Sequence, residues 1–189
     1  MVDRFQVAII GGGINGVGVA REAAARGFKT LLVEKNDFGH ATSGNSSKLL
    51  HGGIRYLEQR NFGLVKEALR ERKILTRIAP HLALAQRFNI PVYNDSIRPW
   101  WMIWAGTKLY DWFAGKDNLE PSSLLAQEQV NTIPFLKKDH LIRICQYSDT
   151  QTQDSRLTLE TALSAKSYGA SVHNYTELTS IIRQPGIFL

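Results

Sequence analysis

The run Val7-Ala8-Ile9-Ile10-Gly11-Gly12-Gly13-Ile14-Asn15-Gly16 does most to limit what this chain can become. Its apolar residues make a short buried strand, and the glycines behind them force a turn straight into a helix. Gly11, Gly13 and Gly16 stand at the spacing of a dinucleotide fingerprint. In that pattern the first glycine makes the tight turn and the second lets a pyrophosphate approach the backbone. The third lets the helix lie close to the sheet. The first turn of that helix then offers unpaired backbone N–H groups and the positive end of its dipole to the phosphates. A glycine triplet alone is a weak signal, but its surroundings strengthen it. An alanine-rich helical run from Gly16 to Arg26 follows, Gly27 is placed to close it, and a second strand, Thr30 to Val33, ends in Glu34. An acid at that distance suits the hydroxyls of a ribose.

Composition narrows what surrounds this unit. With 43% hydrophobic and 21% charged residues, a chain of 189 residues has the means to bury a core. Its one cysteine, Cys145, rules out an internal disulfide and a cysteine-built metal cluster, and suits a reducing compartment. No metal site is expected. Asp3 and Arg4 precede only a short apolar run, unlike a signal peptide, and no segment has the length to span a bilayer. The net charge of +6 admits nucleic acid, an anionic membrane surface or phosphorylated small molecules. The basic residues are dispersed, with no basic run interleaved with aromatics, so nucleic acid is the weakest of the three.

Further along, Lys35 to Asn45 reads as a loop, and Thr42 to Glu58 is rich in hydroxyls with Lys48 and His51 nearby. Ser46 is expected to cap a short helical turn through Leu50, stopped by Gly52-Gly53. Taken alone, this segment reads equally well as a solvated loop. Gly63 to Ala79 predicts an amphipathic helix ended by Pro80. Its apolar stripe is Leu64, Val65, Ala68, Leu69, Leu75 and Ile78, and its basic residues, Arg72 included, read as a solvated face. Phe88 to Tyr93 predicts a strand that Pro91 marks as an edge or bulge. Trp100, Trp101 and Trp104 open an aromatic helix through Phe113. That helix is either core-packing or an interfacial element beside Arg98 and Lys108. After a short helix near 122–129 come a strand at 141–147 and a helix from Ser155 to Tyr168 with Asp154 as its cap. A strand at 171–175 follows, then a hairpin that begins at Leu178 and ends inside its second strand.

The glycine fingerprint, Glu34, Ala41-Thr42-Ser43, Ser46-Ser47-Lys48-Leu49 and His51-Gly52-Gly53-Ile54-Arg55-Tyr56-Leu57-Glu58 together resemble the FAD-dependent glycerol-3-phosphate dehydrogenases. The likeness continues through Ala79-Pro80-His81-Leu82, Arg98-Pro99-Trp100 and Tyr147-Ser148-Asp149 to Asp154-Ser155-Arg156-Leu157, so it spans nearly the whole chain. The resemblance, not the glycine spacing, selects FAD over NAD. It implies an α/β fold: a Rossmann-like FAD-binding domain of the glutathione-reductase and D-amino-acid-oxidase kind, with part of a second, sheet-containing substrate or cap domain. The expected division is 1–80, 81–148 and 149–189. Members of that family are far longer, so the chain reads as an N-terminal portion.

By position, the resemblance gives the FAD pyrophosphate to Gly11, Gly13, Ile14, Asn15 and Gly16, and the ribose to Glu34, with Lys35 beside it. Thr42, Ser43 and Ser47 would line the path toward the flavin, and Lys48, Leu49, His51, Gly52 and Gly53 would lie near its ring. Arg55 and Tyr56 would face the substrate, and the backbone of Leu178 would reach the adenine. The implied reaction is oxidation of sn-glycerol 3-phosphate to dihydroxyacetone phosphate. Hydride passes to the flavin, a base takes the hydroxyl proton, and the electrons go on to a quinone. A histidine has a suitable ordinary pKa for that base, which points to His51, and a guanidinium at Arg55 suits a phosphate. The other roles open to them are a histidine that only hydrogen-bonds the flavin ring and an arginine paired with Glu58. Also open are a non-catalytic FAD-binding portion and an oxidase that uses oxygen. An NAD-binding domain is disfavoured, since the serine–lysine–histidine run has no work there. The implied setting is cytoplasmic, peripheral on the inner face of the cytoplasmic membrane, with a homodimer left open for the full-length form.

Overall fold

The computed structural model describes residues 4–182. β1 (Val7–Ile10) passes through the glycine turn into α1 (Ile14–Ala25), and β2 (Thr30–Val33) follows. A 3₁₀ turn at Thr42–Gly44 precedes β3 (Leu49–Leu50), α2 (Ile54–Glu58), α3 (Phe62–Ile78) and β4 (Ala83–Tyr93). Then come α4 (Trp100–Ala114), β5 (Ser123–Leu124), α5 (Gln127–Thr132), β6 (Leu141–Thr152), α6 (Asp154–Ser167) and β7 (Ser171–His173). These elements form two units, one built from residues up to Lys48 with those from Gln153 onward, the other from Leu49–Thr152. The expected boundaries at 80 and 148 are therefore displaced. Residues 49–80 belong to the second unit because α2 and α3 pack on α4.

The first unit is the βαβ fold that the glycines predict. Its sheet is parallel, in the order β1-β2-β7, with Val7 opposite Thr30 and Leu31 opposite Ser171. Val17, Ala20 and Ala24 of α1 meet Leu32 of β2 and Ala162 and Ala165 of α6 in one buried cluster. Alanines on both helices let α1 and α6 approach closely. Gly27, at φ +86°, closes α1: its N–H donates to the Ala24 carbonyl and that of Phe28 to the Ala23 carbonyl. Asp154 is the first residue of α6 and not its cap, a place taken by Gln153. Residues 178–182 form no strand, contrary to the expected hairpin, whose remainder lies outside the described residues.

The second unit is an antiparallel sheet in the order β3-β6-β4, with β5 also pairing to β6. β4 and β6 pair from Ala83–Thr152 to Tyr93–Leu141, with an irregularity between Val92 and Tyr93. Pro91 stands in the edge strand, where its missing N–H leaves no gap in a ladder. Val65 and Leu69 of α3 and Tyr110 and Ala114 of α4 form the core beside this sheet. The stripe on α3 is narrower than its sequence suggests. Leu64 and Ile78 are exposed, whereas Arg72 is buried, which overturns its reading as a solvated residue. Thr107, Tyr110 and Ala114 of α4 face inward, as a core-packing helix requires, while Trp101 and Trp112 are exposed.

Candidate functional site

The glycine turn is shaped as its sequence requires. Gly11 turns off β1 at φ +109°. A Cβ on Gly16 would run into the Gly11 carbonyl oxygen, so α1 can start this close to the strand only with glycine there. A Cβ on Gly13 would come to 3.1 Å from the Ser43 hydroxyl, closer than ordinary contact, so glycine is what lets Ser43 lie against the start of α1. The Ile14 N–H donates to Ser43 Oγ at 2.9 Å, and the described residues supply no acceptor for the N–H of Asn15.

Glu34 points into this turn. Its Oε2 accepts the Gly12 N–H at 2.6 Å and its Oε1 the Asn36 N–H at 2.8 Å. These N–H groups, Gly12 first, hold the carboxyl below the usual glutamate range. An ionised carboxylate has about four acceptor positions, so lone pairs remain for ribose hydroxyls. The sign of the pH effect follows. A depressed folded-state pKa stabilises fully above the ordinary value of about 4.3 and is lost as pH falls through the folded-state value. Melting curves of wild type and Glu34→Gln should therefore differ most at neutral pH and converge as the medium is acidified below about 4.

The segment after the 3₁₀ turn is anchored to the first turn of α6. Ser46 Oγ accepts the Lys48 N–H at 3.0 Å and donates to Asp154 Oδ2. This corrects the expected helical turn through Leu50. Ser46 turns the chain instead, Lys48 takes a left-handed conformation at φ +57°, and Leu49–Leu50 pair with Thr150–Gln151 as β3. Lys35, Thr42, Ser47 and Lys48 are exposed. Leu178 is 42% exposed and in no strand, but the Thr176 N–H on its approach donates to the Glu34 carbonyl at 2.8 Å.

In the second unit, His51 is exposed and its Nδ1 accepts the Gly53 N–H at 3.1 Å. A neutral imidazole that accepts at Nδ1 carries its proton on Nε2. The Gly52 N–H donates to the Tyr110 hydroxyl at 2.8 Å, and that hydroxyl donates to Asp149 Oδ2 at 3.0 Å. Arg72 Nη1 lies 3.1 Å from Asp149 Oδ1, with side-chain exposures of 2% and 1%. Burial first, then the charge of Asp149, pushes the Tyr110 phenol far above its ordinary value, so it stays protonated and donates. A groove of about 260 Å³ is lined by β3, His51 and Ala68, Glu71 and Arg72 of α3. Arg55 stands in α2, which opens on Gly53 at φ +72°, and its side chain lies outside the described ones. Tyr56 is half-buried, with its ring against Gly53 and the core cluster.

Sequence reading misses Arg72, Tyr110 and Asp149 as a group. One signal for it exists. Val65, Leu69 and Arg72 recur at the spacing of a single helix face, so the arginine falls on the buried stripe and needs a buried acid.

A βαβ cradle for a diphosphate with an acid gripping beyond it defines a flavin- or nicotinamide-binding class, and comparison with known proteins decides between them. The profile of the FAD dependent oxidoreductase family matches residues 6–188, and the chain belongs to that family. Within it, the chain is 44% identical over 179 residues to a glycerol-3-phosphate dehydrogenase of Synechocystis, covering 94% of this chain and 32% of the relative. It is 41% identical over 191 residues to the human mitochondrial glycerol-3-phosphate dehydrogenase, covering 95% and 26%. The crystal structure of glycerol-3-phosphate dehydrogenase from Bacillus halodurans, complexed with FAD, matches with a TM-score of 0.69 at 29% identity, over 97% of this chain and 29% of that one. The chain thus spans about a quarter to a third of the length of these relatives.

Proposed function

We propose that this chain is the FAD-holding part of an enzyme that oxidises sn-glycerol 3-phosphate to dihydroxyacetone phosphate. The observation that carries the reading is the turn at Gly11–Gly16, with Glu34 folded onto it and the start of α1 drawn close to the end of β1. FAD fits these residues: the N–H of Asn15, and that of Ile14 once it leaves Ser43 Oγ, would hold its diphosphate, and Glu34 its ribose. Bound there, it would supply the two-electron acceptor for the secondary alcohol, with a quinone taking the electrons onward. Lys35 would add positive charge near the diphosphate. Thr42, Ser43 and Ser47 would follow the cofactor toward its ring, and Lys48, Leu49, Gly52 and Gly53 would border that ring. The segment leading to Leu178 runs past Glu34 and would reach the adenine.

Arg55 would bind the phosphate of the substrate by a charge-assisted, bidentate contact. His51 has two roles open to it, and its geometry favours one. With Nδ1 accepting from Gly53, its Nε2 proton would be the one to donate to an oxygen of the flavin or of the substrate. Acting as a base at Nε2 would first require a change of tautomer and loss of the Gly53 bond.

Among the described residues no helix is long and apolar enough to cross a membrane. The exposed Trp101 and Trp112 and the lysine–aromatic pairs Lys108–Trp104 and Lys66–Phe113 support a surface contact with an anionic bilayer. Purification from cells followed by anaerobic addition of glycerol 3-phosphate tests the whole reading. A yellow protein that bleaches on addition, recolours with a quinone faster than with air, and sediments with anionic vesicles is the expected result. Flavin without bleaching would leave a binding part that needs further chain for catalysis. A chain that takes up no FAD would overturn the proposal.

A further inference from the structure

Arg72, Tyr110 and Asp149 come from α3, α4 and β6, and all three are buried. An ion pair in such a place seldom adds stability, because the desolvation of two charges roughly cancels their attraction. Packing alone would be served as well by apolar side chains. Together the three present one acceptor, the Tyr110 hydroxyl, to the N–H of Gly52. The phenol has a single proton and gives it to Asp149 Oδ2 at 3.0 Å, so its lone pairs turn toward the Gly52 N–H at 2.8 Å and Arg72 at 3.4 Å. Arg72 in turn holds Asp149 from its other oxygen, which also accepts the Thr150 N–H at 3.0 Å. Asp149 therefore decides which way the phenol faces.

The backbone at Gly52 is pressed onto this group. A Cβ there would strike both the Tyr110 hydroxyl and the Leu69 side chain. The next N–H, from Gly53, is spent on His51 Nδ1. Both N–H groups that follow His51 are thus committed, one to the buried triad and one to the imidazole itself.

We infer that Arg72, Asp149 and Tyr110 are positioning residues that lock the His51–Gly53 backbone, so that His51 presents a fixed Nε2–H donor. That the donor serves a flavin or its substrate rests on the function proposed above; the hydrogen-bond relay does not. The relay orients, and takes no part in moving electrons.

Nitrogen NMR of the histidine side chains, with amide exchange, tests this on the 189-residue chain without FAD. Wild type should show His51 as a single Nε2–H tautomer and a slowly exchanging Gly52 amide. Tyr110→Phe keeps the ring and the ion pair but removes the acceptor. It should speed Gly52 exchange about tenfold, as expected for a buried donor left without a partner, and mix the His51 tautomers. Leu69→Val loosens packing beside the same glycine and keeps the hydroxyl. It should lower the melting temperature and leave the tautomer alone. An Nδ1–H tautomer in wild type would overturn the inference. So would unchanged His51 nitrogens in Tyr110→Phe, or equal scrambling by Leu69→Val. An Nδ1–H tautomer in wild type overturns the inference even if Tyr110→Phe does not fold, so the test does not hang on that variant. Failure to bind FAD would leave all these readouts standing, so the two proposals fail separately.

Discussion

Gly16→Ala should lower the melting temperature of this chain by about 6–12 °C and abolish FAD binding. The added methyl group points at the carbonyl oxygen of Gly11, a backbone atom that cannot swing aside. Either α1 moves off the end of β1 or the turn opens, and overpacking of this kind costs up to about 3 kcal/mol. For a chain of this length each kcal/mol shifts the melting temperature by about 2–4 °C. Both escapes also shift the N–H groups of Ile14 and Asn15 from where a diphosphate would meet them. Gly18→Ala, in the same helix, is the control, because its Cβ meets nothing within 4 Å. An alanine there should instead raise stability by about 0.5–1 kcal/mol, the ordinary gain in a helix interior. Melting curves and co-elution of flavin with the protein check both. If the two variants behaved alike, the close approach of α1 to the strand would not be what glycine secures at position 16.

The contrast between these glycines shows what a sequence can disclose about this fold. The unit from β1 to β2 was legible because its causes are local. The turn, the alanine helix, the cap at Gly27 and the acid after β2 all lie within a short stretch, and each constrains its neighbours. β3 was not legible, since Leu49–Leu50 is a strand only because Thr150–Gln151 lies beside it. The edge position of Pro91 could be read from the chemistry of proline, whereas the start of β4 at Ala83 depends on the length of β6. The division into units escaped for a related reason, because the chain leaves the first unit at Lys48 and returns at Gln153. The candidate site divides in the same way. Glu34 and the glycines could be assigned from spacing, but the tautomer of His51 depends on the backbone conformation at Gly53. The partners of Arg72 stand 38 and 77 positions away.

Arg72→Met should cost about 3–5 kcal/mol, among the largest losses available in the second unit, because it strands the buried charge of Asp149. Asp149→Leu should cost a similar amount by stranding the guanidinium. The double variant removes both charges, and most of the loss should return, giving a coupling energy well above the 0.3–0.5 kcal/mol expected between independent sites. Recovery should stop short of wild type by about 1–3 kcal/mol, since the Tyr110 proton then has no acceptor in its buried surroundings. Adding Tyr110→Phe removes that proton but orphans the Gly52 N–H, so the deficit should change owner and not disappear. Chemical denaturation of the four variants and wild type reads all of this. Full recovery in the double variant would mean that the phenol finds another acceptor, and simple additivity of the single losses would mean that Arg72 and Asp149 do not support one another. The expected residue of instability follows from the peptide group at Gly52, which no side-chain substitution can make apolar. A buried backbone donor beside the exposed His51 needs an acceptor, the acceptor here is a hydroxyl whose own proton must be engaged, and the acid that engages it needs a cation.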